Sequence, residues 1–160
     1  MQTMNDLFLD TLKDIYFAEK QITKALPKMA KKAGIPKLKQ AFEKHLTETE
    51  GQIERLEEIF QMLDVKPAAK KCPGILGILE EGSEVMQEAE DKDVRDAAMI
   101  AAAQAVEHYE ITRYGSLATW AEQLGMREAK DLLGQTLDEE KATDEALSEL
   151  ATADVNAKAA

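Results

Sequence analysis

Four acids stand where apolar residues belong. In the first segment Phe8, Leu12, Ile15, Glu19, Ile22, Leu26, Met29 and Ala33 follow alternating steps of four and three, the spacing of one helix face, and only Glu19 is polar. Met99, Ala103, Val106, Glu110, Tyr114, Leu117, Ala121 and Leu124 repeat the pattern with Glu110 in its middle. Leu133, Leu137, Glu140, Asp144, Leu147 and Ala151 repeat it with two acids. A further series, Phe42, Leu46, Thr49, Ile53, Leu56, Phe60 and Leu63, carries His45, Glu48, Gln52 and Ile59 on its flank, and Glu107 lies one turn before Glu110.

Carboxylates gathered inside an apolar bundle repel one another and lose hydration, so they need protons, cationic partners or a bound metal. Acids converging from several helices suit a dinuclear iron or manganese site, bridged by carboxylates and open to oxygen or peroxide. In that arrangement Glu19 and Glu110 are terminal ligands, Glu48 and Glu140 (or its neighbour Glu139) bridges, and Glu107 and Asp144 further ligands. The bland alternative is that these acids are solvated, as most helix carboxylates are, or paired with cations such as Arg55 and Arg113. The Glu-x-x-His pattern of many di-iron bundles is absent: the third residue after Glu48 is Gly51, and after Glu140 it is Thr143. His45 precedes Glu48 by three and is within reach of the layer, but a core histidine hydrogen-bonded elsewhere is the favoured reading, and His108 is expected to point away. Tyr109, Tyr114 and the methionines read as packing residues, and Cys72 is assigned no catalysis.

The elements that must position these residues are helices. Pro27 predicts a kink in the first rather than a stop. Gly34-Ile35-Pro36 predicts a left-handed cap and then a second helix running to about Leu63. The loop VKPAAKKCPG, residues 65–74, predicts a crossover, followed by a short helix from about Ile75 to Glu90. Asp93 is the expected cap of a third long helix, with Asp96 as the acidic member of a capping box and Gly125 at the end. A fourth long helix is expected from about Arg127 to Ala151, with residues 153–160 frayed. A shift of 91 residues superimposes Glu19 on Glu110, Gly34 on Gly125 and Glu48 on Glu139, so the two hairpins look alike. No strand alternation appears. The expectation is an all-α, ferritin-like four-helix bundle over residues 1–152, with an additional short helix in the crossover.

Composition narrows the function classes. Of 160 residues, 44% are hydrophobic and 32% charged, an ordinary mixture for one folded domain. The net charge of −11 opposes binding to phosphate backbones and anionic membranes, so neither nucleic acid nor membrane is an expected partner. A single cysteine excludes an intrachain disulfide, and the start MQTMNDLFLD lacks a secretory pattern, which together predict a cytoplasmic protein.

Four segments, IYFAEKQITKALPKMA, FEKHLTETEGQIERLEEIF, AAQAVEHYEITRYGSLATWAEQLG and LLGQTLDEEKATDEALSELA, closely resemble the YciE/YciF family of bacterial ferritin-like stress proteins. The likeness covers nearly the whole chain. It implies a bundle related to rubrerythrin and ferritin, a bacterial cytoplasmic setting, a homodimer and induction under stress. Glu19-Lys20-Gln21 and the Glu107-x-x-Glu110 pair look like the first- and third-helix motifs of rubrerythrin. The function expected is a stress protein with a carboxylate-rich dinuclear iron or manganese site reacting with oxygen or peroxide. The alternative class is a non-enzymatic dimeric bundle acting through an unidentified protein partner.

Overall fold

The computed structural model describes residues 1–160, and they are helical with no strand. The helices are α1 (Met4–Lys32), α2 (Pro36–Met62), α3 (Pro73–Glu88), α4 (Lys92–Gln123) and α5 (Arg127–Leu150). No helix is long and apolar enough to cross a membrane.

Local chemistry sets the helix ends. Thr3 and Asp6 form a reciprocal capping box at the start of α1, which runs unbroken through Pro27. Pro36 occupies the first turn of α2, where its missing N–H costs nothing. The cap of α4 is Asp91, whose Oδ1 accepts the N–H groups of Asp93 and Val94, so Asp93 is not the cap. Gly125 adopts the left-handed φ of +73° that lets the chain turn into α5. The tail expected to fray instead continues as a π-helical turn, Ala151–Val155, and a last short helix, α6 (Asn156–Ala159). Burial of Ala151 and Val155 against the bundle anchors it.

The α1–α2 turn is held in an unexpected way. Gly34 is not left-handed, because the turn is made at Ala33 with extended ψ. Gly34 is small for another reason: its N–H donates to Asp96 Oδ1 at 2.7 Å, and a Cβ there would lie 2.8 Å from Asp96 Oδ2. Asp96 is buried and belongs to this turn, not to the capping box expected of it. The contact also places the start of α4 beside the α1–α2 turn, so residues 63–91 carry the chain back along the bundle.

α1 packs on α2 and α4, α5 packs on α4 and α2, and α3 lies outside, on α4 and α1. Phe8, Leu12, Ile15, Phe42, Leu56, Phe60, Met99, Leu117, Leu133 and Leu147 form the apolar interior. On α2 the buried line is Phe42, His45, Thr49, Gln52, Leu56 and Ile59, while Leu46 and Ile53 are half-buried. The helix is thus turned by part of a step from the stripe expected, which brings polar side chains inward.

The Gly34–Asp96 contact predicts that Gly34→Ala and Asp96→Ala each lower the unfolding free energy by about 1–3 kcal/mol. In urea titrations the double substitution should cost clearly less than the sum, because both remove one interaction. Strict additivity would show that the two residues act independently.

Candidate metal centre

Glu19, Thr49, Glu110 and Glu140 each lie fifteen residues from the nearer hairpin glycine, Gly34 or Gly125. Helix rise is constant, so all four sit at mid-length in the bundle. Each is fully buried. His45 and Glu107, also buried, add a layer about one turn away.

Ligating atoms of His45, Glu107, Glu110 and Glu140 lie within 4.8 Å of one another. Glu19 adjoins them and accepts a hydrogen bond from the buried Tyr114 hydroxyl. His45 Nε2 stands 3.2 Å from Glu107 Oε1 without hydrogen-bond geometry. Glu19 Oε2, Glu107 Oε2, both oxygens of Glu110 and Glu140, and both ring nitrogens of His45 are buried with no hydrogen-bond partner. Orphaned polar atoms of this kind are costly and rare. Here the carboxyl oxygens and the unprotonated nitrogen of the neutral His45 ring are donors of electron pairs, gathered at one place.

Burial is the first cause of the shifted protonation. It raises Glu107 and Glu110 well above the ordinary carboxyl range, and neighbouring carboxylates add to the shift. Glu19 is pushed up to about 8 by burial and by the charge of Glu140, against the Tyr114 hydrogen bond that favours its anion. Burial lowers His45, so its ring is held in the neutral form, the form that binds metal. The residues therefore fit an oxygen-rich cation site with one nitrogen donor, where bound charge replaces the protons that the acids otherwise hold.

The structure gathers Glu19, Glu107, Glu110 and Glu140 of the residues expected from the sequence. Asp144 stands outside that group, and Glu48 stands at its edge: Oε1 pairs with Lys44 at 2.8 Å, while Oε2 is buried with no hydrogen-bond partner. Asp144 Oδ2 meets the exposed His108 Nε2 at 3.1 Å, and its Oδ1 accepts from Gln104 at 3.0 Å. Between Glu140 and Glu139, it is Glu140 that points inward. Glu139 is held by both Arg55 nitrogens, at 2.6 and 2.8 Å, and by Gln52 Nε2 at 3.1 Å. Burial raises Glu139, but those hydrogen bonds outweigh it and keep the carboxyl below its usual range. His45 is in the group, where a histidine bonded elsewhere was favoured. Its spacing with Thr49 and Gln52, four and then three, was the available signal.

Comparison with known proteins identifies the family and the fold. Residues 3–160 match the family described as domain of unknown function DUF892. Protein YciF of Escherichia coli K12 is 52% identical over 160 residues, covering 99% of this chain and 96% of that protein. The crystal structure described as the E. coli stress protein YciF superimposes with a TM-score of 0.93, at 52% identity, over 98% of this chain and 99% of that one. A Xanthomonas campestris pv. campestris protein superimposes with a TM-score of 0.78, at 26% identity, over 97% of this chain and 95% of that one. On its sequence over nearly its full length and on its helical bundle, the chain belongs to the DUF892 family and is a relative of the YciE/YciF proteins.

Proposed function

We propose that this chain is a ferritin-like stress protein of the cytoplasm, a homodimer, whose buried layer holds two iron or manganese ions. The observation that carries this reading is the set of unpartnered donor atoms from four helices, four of them within 4.8 Å of one another. His45, Glu19, Glu107, Glu110 and Glu140 would hold the ions. Such ions, when bound, supply electrons for the reduction of oxygen or peroxide. The relative named as a stress protein supports a protective role.

The chain's own residues have distinct tasks. Tyr114 donates to Glu19 and fixes that carboxylate, so its second oxygen stays free. Arg55 takes up Glu139 and keeps one further negative charge out of the layer. Ile15 and Ile22, about one helical turn on either side of Glu19, are buried, and the dry surroundings strengthen each charge interaction inside. Glu19, Glu107 and Glu110 hold protons while the layer is empty of cations and release them when a cation enters.

Calorimetric titration of chelator-treated protein with Mn(II), and with Fe(II) under anaerobic conditions, tests the reading. Two ions per chain should bind saturably, and Glu110→Gln should abolish at least one of them while the protein stays folded. Tyr114→Phe should weaken binding by about 10–100-fold. A folded parent protein that takes up no stoichiometric metal contradicts the proposal. Sedimentation velocity should give the mass of a dimer.

Proton linkage supplies a second measurement. At low pH both folded and unfolded chains hold the carboxyl protons, and no charge is buried. As pH rises past about 4.3 the unfolded chain gives its protons up. Folded Glu19, Glu107 and Glu110 keep theirs, so the metal-free fold loses stability with rising pH until it passes the value of about 8 for Glu19. The Tm of metal-free protein should therefore fall between about pH 5 and pH 8, and saturating Mn(II) should flatten or reverse that slope. A metal-free Tm that rises across the range would mean the acids are not buried.

A further inference from the structure

Charge is unevenly distributed along the chain. From Lys20 to Phe42 there are seven lysines and no acid, in a protein with 31 acids and 20 bases. Lys24 and Lys28 of α1 are exposed, one helical turn apart, and neither belongs to an ion pair. Both stand at the rim of a cavity of about 350 Å³ between α1, α3 and α4.

The walls of that cavity are apolar, formed by Ala25, Met29, Leu79, Met86 and Val106. Its shape follows from Gly82. A Cβ at Gly82 would lie 3.0 Å from that of Ala102, so α3 is drawn tightly against α4 and leaves a slot towards α1. Small-molecule sites have this character: about 300–1,000 Å³, largely apolar, with a few polar groups that fix orientation. An inorganic anion would leave the apolar walls uncovered.

We propose that this cavity binds a free long-chain carboxylate, its hydrocarbon between α1 and α3 and its head group against Lys24 and Lys28. The lysine stems extend the apolar wall while their ammonium groups meet the carboxylate. Glu80 on the facing rim repels the head group and so directs it to the α1 side. This site shares no residue with the carboxylate layer, so its test stands apart from metal binding.

Dodecanoate, used below its micelle concentration and titrated calorimetrically into the full chain, should bind saturably at one per chain. Dodecanol should bind more weakly. The double substitution Lys24→Glu, Lys28→Glu should weaken dodecanoate by about tenfold or more. Ala25→Trp, or Ser83→Phe on the facing wall, should abolish binding by filling the slot, with Tm and Mn(II) uptake unchanged. Absence of saturable binding, or binding indifferent to these substitutions, overturns the proposal. Binding to vesicles of anionic phospholipid without binding of dodecanoate overturns it in favour of a membrane surface. A change of sedimentation in Ala25→Trp, with no dodecanoate binding by the parent, overturns it in favour of self-association.

Discussion

The constraint on which this protein depends is electrostatic: four glutamates and a histidine share one dry layer at the middle of a helical bundle. A single carboxylate in such surroundings sheds its charge by taking a proton, and several together raise one another's proton affinity further. The layer has two ways to exist, with protons held on Glu19, Glu107 and Glu110 or with anions around cations. Buried ionic groups of this kind are weak contributors to stability, since apolar residues of similar volume often serve a core as well or better. The retention of so many acids in the core is what points to a ligand.

Other features of the fold serve that layer. Two hairpins with their acids equally far from the turn deliver Glu19, Glu110 and Glu140 to one level without any long loop entering the core. The crossover through α3 returns the chain so that α4 begins at the α1–α2 turn, and the buried Asp96 at Gly34 fastens the two hairpins at that end. Tyr114 and Arg55 then act at closer range, one by holding Glu19 in place and the other by neutralising Glu139 at the edge. Rigid packing sets the level of the acids, and hydrogen bonds set their aim.

Much of this was legible in the amino-acid sequence, for a physical reason. On α1 one apolar stripe dominates, so Glu19 inside it has nowhere to point except the core; α4 packs on α1, α3 and α5 and is apolar on more than one side, yet Glu110 keeps the step of its buried line and is found in the core as well. On α2 two lines of residues compete. Leu46 and Ile53 make the more apolar line, yet His45, Thr49 and Gln52 are the buried ones, because tertiary packing and not hydropathy decides the rotation. That rotation moved His45 into the site and turned one Glu48 oxygen to Lys44. Asp144 follows Glu140 by one turn and shares its stripe, but it lies where the bundle surface offers His108 and Gln104 as partners. Gly34 was read as a turn conformation when it marks a close approach by Asp96, a contact 62 positions away in sequence that no local pattern encodes.

Anomalous diffraction from crystals of protein loaded with iron or manganese addresses the central claim most directly, since it reports which element is present and which side chains surround it. The account predicts strong peaks at the metal's absorption edge within the layer bounded by Glu19, His45, Glu107, Glu110 and Glu140. A loaded crystal with no peak there, and with the carboxyl groups hydrogen-bonded to one another, would contradict it.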